Sequence, residues 1–198
     1  SNDIINIIIE IASQNETTKH KVADAIGIIL SANNIKVLEN IMISSINPII
    51  ISIICLIARK YNSFVPIIAN NLITIIRPDI ASNIISDIYQ EDKDAFVKII
   101  EALVIKINEN KDLYGARFMS SSVSSSVSPP VSPPTLSPAD LRQKKMIDEL
   151  IKGQTDLLIK LNDIIPIIND KTILSNTFVH QFIDIVEKSL IVRTVNTA

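Results

Sequence analysis

The sequence predicts an all-α protein with an N-terminal multi-helix bundle, a Ser/Pro-rich extended linker and a C-terminal helical arm or hairpin. Three observations carry that expectation. Apolar residues recur at helical spacing and seldom alternate. Pro and Asn stand where the apolar runs begin. One strip, Ser120 to Pro138, holds only Ser, Val, Pro, Thr and Leu between two segments dense in Ile. The boundaries that follow are 1–114 for the bundle, 115–138 for the linker and 139–198 for the C-terminal segment.

In the opening segment Ile4, Ile8 and Ile11 share one face, and Ile5 and Ile9 widen it. Val22, Ile26 and Ile29 repeat the pattern. Asn47-Pro48 reads as an N-cap followed by Pro at the first helical position. Pro66 suits the first turn of a helix that begins near Ser63. Arg77-Pro78-Asp79 closes one helix and opens the next, because the residue before Pro is biased away from helical angles. Asp92 or Asp94 caps the helix that carries Phe96, Ile99, Ile100, Leu103 and Ile107. About six helices are expected between Asp3 and Asn110. Isoleucine makes up roughly a fifth of the chain and favours strands. Periodicity and segment length nevertheless favour helix. Ile49 to Ile57 and Ile67 to Ile76 are apolar nearly all round, which suits a bundle centre or a subunit interface.

The strip contains nine Ser and five Pro, cannot bury a core of its own, and should be extended. At about 3.1 Å per residue it would reach roughly 50–60 Å, enough for a tether. After it, Ser137-Pro138 opens a helix on which Ile147, Ile151, Gln154, Leu158, Leu161 and Ile165 follow a 4-3-4-3 spacing. That is a short heptad seam with one polar position, Gln154. Pro166 should bend or stop it. A last helix runs from about Ser175 to Ile191 with Val179, Phe182, Ile183, Val186 and Leu190 on one face, and VRTVNTA reads as a tail or an added strand. The expected oligomer contacts are Ile147, Ile151, Leu158, Leu161 and Ile165, completed by Phe182 and Val186.

Catalytic chemistry is scarce. A net charge of −2, no Trp and few Tyr and Phe speak against a nucleic-acid partner. The single cysteine, Cys55, excludes an intrachain disulfide and reads as a small core residue. No catalytic, cofactor or metal site is expected. The three Gly are isolated, with Gly27 read as a close helix contact and Gly115 as a helix end. His20 and His180 lack metal-ligand spacing, although His180 and Asp184 stand one turn apart. Asp87, Glu91, Asp92 and Asp94 read as caps. Ser128, Ser132 and Ser137 each precede Pro and are candidate phosphorylation sites, Ser137 at a helix N-terminus where a phosphate is favoured.

No secretory signal is visible, and the location expected is cytoplasmic or in a virion. The expected function is non-enzymatic: structural assembly through helix packing, with itself or neighbouring structural subunits as partner. A capsid-associated or virion-stabilising role fits the Ile- and Asn-rich composition of an AT-rich genome. A membrane is not the expected partner, but one alternative is a membrane-active protein with a hydrophobic hairpin at 46–76. Another is a helical adaptor that binds peptides.

Overall fold

A computed structural model of the chain describes residues 2–31, 35–43, 47–74, 76–121, 138–166, 168 and 170–196. The helices run α1 (Asn2–Ala12), α2 (Glu16–Ser31), α3 (Ile35–Ile43), α4 (Pro48–Lys60), α5 (Val65–Thr74), α6 (Pro78–Glu91), α7 (Lys93–Ser121), α8 (Pro138–Leu161), α9 (Lys171–Leu174) and α10 (Thr177–Asn196). A 3-10 turn at Asn62–Phe64 joins α4 to α5. The fold is all-α, with no strand among the described residues.

The two helices that are apolar nearly all round occupy the centre. α4 meets α1, α2, α3, α6 and α7, and α5 meets α3, α6, α7 and α8. Ile50, Ile51, Ile53, Ile54 and Ile57 of α4 are buried, as are Ile68, Leu72 and Ile73 of α5. Helices without a polar face are stable only when neighbours cover every side.

Several starts were legible. The Asn47 side chain accepts from the Ile49 N–H at 2.9 Å, and Pro48 takes the first helical position of α4. Asp92 accepts from the N–H groups of Asp94 and Ala95, both at 3.0 Å, and so caps α7. α6 starts at Pro78 as expected. Asn15 and Asn176 cap α2 and α10, accepting from Thr18 N–H and Phe178 N–H at 2.9 Å. These satisfy N–H groups that a helix start leaves orphaned.

Three expectations differ from the structure. Among the described residues seven α-helices, rather than about six, lie before the strip. α7 passes through Gly115 to Ser121 instead of ending there, since one interior Gly costs only about 1 kcal/mol in a 29-residue helix. The final segment continues α10 to Asn196, and is neither a tail nor a strand up to that point, because no Gly or Pro follows Ile191 to stop it.

The C-terminal segment packs against the earlier helices. α8 packs on α5, α6 and α10, and α10 packs on α7 and α8. Buried apolar side chains from Ile5 to Val186 form one cluster. A seam of fewer than three heptads is marginal alone and needs tertiary partners. Its polar position finds one within the chain: Asn110 of α7 donates its side-chain N–H to Gln154 Oε1 at 3.2 Å, and both residues are buried.

Gly27 permits a close approach. A Cβ there would stand 2.6 Å from a ring carbon of Tyr61. That ring tilts against Phe64 with centroids 5.9 Å apart, and its hydroxyl donates to Asp24 at 3.2 Å. Gly27→Ala gains roughly 1 kcal/mol of helix propensity, but the displaced ring forfeits both contacts at an overpacking cost of about 1–3 kcal/mol. A net loss of about 1 kcal/mol is expected in urea unfolding; a gain would show that the ring moves aside freely.

Candidate interaction surface

The charged side chains mostly tie helices together. Lys60 and the Tyr61 hydroxyl both donate to Asp24, linking α4 to α2. The hydrogen bond from Lys60 holds the Asp24 carboxyl below its ordinary range, and Asp24 in turn raises the Lys60 ammonium. Arg59 reaches Asp92 at 3.3 Å, and Lys98 donates to the Arg59 carbonyl at 3.0 Å and to Asn62 Oδ1 at 2.7 Å. With His20, Ala23 and Leu56, the Asp24, Arg59 and Lys60 side chains line a shallow groove between α2 and α4. Its charges are already paired.

Cys55 is buried, and burial first, then Asp92 and Glu91, push its thiol up, so it stays protonated. Ser52 donates to Glu91. Asp184 pairs with Lys188 at 2.7 Å, on the same helix as His180. Among the described residues no three His, Cys, Asp or Glu side chains are grouped to hold a metal ion.

Asp170 is the tie between the C-terminal helices and α7. It accepts from Lys93, from the Thr172 hydroxyl and from the Thr172 N–H at 3.0 Å, capping α9. Lys93 first, then Thr172, hold its carboxyl well below the usual carboxylate range.

Among the described side chains, exposed apolar surface is concentrated at the N-terminal hairpin. Ile4, Ile7 and Ile11 of α1 and Ile28 and Ile29 of α2 are exposed, Ile4 at 63% and Ile28 at 69%. At 3.6 residues per turn, Ile4, Ile7 and Ile11 fall within about 60° of one another. Ile5 and Ala12 of the same helix are buried, and Ile8 and Ile9 are half-buried. α1 therefore has more apolar surface than α2 and α4 cover. Ile105, Leu141 and Met146 are exposed elsewhere, as scattered apolar side chains commonly are.

The residues expected to make oligomer contacts differ in their burial. Leu158, Leu161, Phe182 and Val186 are buried inside the chain's own core. Ile151 and Ile165 are half-buried, and Ile165 packs on that core. The Ile147 side chain, and Ser128, Ser132 and Ser137, lie outside what the structure describes. The sequence showed that these positions share a stripe. It could not show that α5, α6, α7 and α10 supply the cover.

No single helix among the described residues is long and apolar enough to cross a membrane. α4 and residues 62–74 pass that test only together, across a bend of 113°, and their apolar faces are buried at the bundle centre. No family model, curated protein or solved structure matches this chain.

The lowered Asp170 carboxyl has a signed consequence. Its folded-state value lies below its unfolded value, so its stabilising effect is present above the unfolded value near 3.8. That effect fades as pH falls from about 4 toward the folded value. Asp170→Asn should lower the melting temperature at pH 7, and the gap to wild type should shrink below pH 4. A gap that is constant from pH 7 to pH 2 would contradict the assignment.

Proposed function

We propose that this chain is a non-enzymatic assembly protein that works by helix-to-helix contact, with the outer face of its N-terminal hairpin as the contact surface. One observation supports this reading above the others. The chain buries isoleucine throughout its centre yet leaves Ile4, Ile7, Ile11, Ile28 and Ile29 in water on one pair of adjacent helices.

The magnitudes suit a modest interaction. Fully burying an isoleucine is worth about 1.5–3 kcal/mol, and these residues are already partly covered. Five of them would supply roughly 5–7 kcal/mol. Association costs about 4–15 kcal/mol before any of this shows as affinity. A partner that brings an apolar face of its own is therefore needed. The heptad seam is a poor candidate for that role, because Leu158 and Leu161 are committed to the internal core.

The test is sedimentation equilibrium on the full chain and on Ile7→Asp. The wild type should show reversible association at tens of micromolar, and Ile7→Asp should sediment as a monomer with unchanged helical circular dichroism. A wild type that stays monomeric to about 100 µM, corresponding to less than about 5.5 kcal/mol of association, would overturn the reading.

A further inference from the structure

We propose that the partner on this surface is a second copy of the chain, docked by a two-fold axis so that α1 of one copy lies antiparallel on α2 of the other. The inference rests on the assembly reading and adds the occupant and its orientation.

Charge selects the arrangement. α1 carries two exposed carboxylates, Asp3 and Glu10, and no basic residue. Neither carboxylate has an ion-pair partner among the described residues. On α2, Glu16 is taken by Lys19 and Asp24 by Lys60, and exposed Lys21 has no ion-pair partner among the described residues. The hairpin thus offers acid on one helix and base on the other. A second copy offers the complement in the same place.

Geometry brings the complements within reach. Ser13 to Asn15 is a three-residue link between packed neighbours, so α1 and α2 run antiparallel. At 1.5 Å per residue from the link, Glu10 stands about 3 Å along α1 and Lys21 about 7 Å along α2. Ile4 stands about 12 Å along α1, with Ala25 and Ile28 about 13 and 18 Å along α2. A two-fold axis parallel to the helices lays α1 of one copy over α2 of the other at equal height. Ile7 then stands level with the second copy's Lys21 and Glu10 about 4 Å of height from it, within reach of the long Lys side chain, while Ile4 meets its Ala25 with Ile28 about 6 Å beyond. The two hairpins make a four-helix layer, and each contact occurs twice. Laying α1 on α1 instead would run Asp3 and Glu10 of both copies along one seam with no cation between them, an arrangement that like-charge repulsion disfavours.

Charge reversal on exposed residues tests the pairing without threatening the fold. By sedimentation equilibrium at low salt, Glu10→Lys and Lys21→Glu should each raise the dimer dissociation constant about tenfold. The double variant should return to within a few-fold of wild type. If both single variants weaken the dimer and the double variant does not recover, or if Glu10→Lys tightens it, the α1-on-α2 arrangement is overturned while the assembly reading stands. A trimer or larger assembly overturns the two-fold arrangement alone. A wild type that is monomeric at about 100 µM overturns both.

Discussion

Everything in this fold follows from two consecutive helices that have almost no polar face. α4 and α5 meet through the short turn at Asn62–Phe64, and between them they present isoleucine in nearly every direction. Such a corner cannot face water, so each of its sides must be covered by an amphipathic neighbour. α2, α6 and α7 cover α4, and α7, α8 and α6 cover α5. The C-terminal segment is drawn into the core for this reason. α8 supplies a side of α5 that the first seven helices leave open.

Polar contacts then choose among the many ways of packing isoleucine, which is shape-tolerant and non-directional. The buried Asn110–Gln154 bond sets α8 against α7, since a shifted register would leave two amides without partners. Asp170 fastens the start of α9 to the start of α7 through Lys93, and Lys60 with Tyr61 fastens α4 to Asp24 of α2. The surface pairs are solvated and contribute more to placement than to energy. Asn71 lies in the core with its amide donating to the Met42 sulfur at 3.7 Å, a weak bond in a buried site. The same use of charge pairs Arg59 and Lys60, which line the groove between α2 and α4.

Sequence reasoning recovered what local chemistry decides. The Asn47, Pro48, Pro78 and Asp92 signals each act within one turn, and each appears where expected. So did the all-round apolar character of α4 and α5, and the tight packing at Gly27. What depends on distant residues was not legible. The 4-3-4-3 stripe of α8 looked like a seam for another subunit because periodicity reports a shared face and is silent about what covers it. The face of Ile4, Ile8 and Ile11 was equally visible as a shared stripe. In the structure Leu158 and Leu161 of the first are covered within the chain, whereas Ile4 and Ile11 of the second are exposed and Ile8 is half-buried. Gly115 and the final segment were misjudged for a different reason. A single Gly or a few polar residues weaken a helix slightly, and continuing a formed helix adds one bond per residue fixed.

One core shared by both ends of the chain is therefore the central claim, and among the described side chains exposed apolar surface gathers on the N-terminal hairpin. Native-state hydrogen exchange tests that claim directly. Amides around Ile53 and Ile54 of α4 and around Phe182 and Val186 of α10 should exchange through the same global opening, with matching free energies and matching dependence on denaturant. Exchange near Phe182 and Val186 at a much lower free energy, while α4 stays protected, would show a separable C-terminal arm and contradict the shared core.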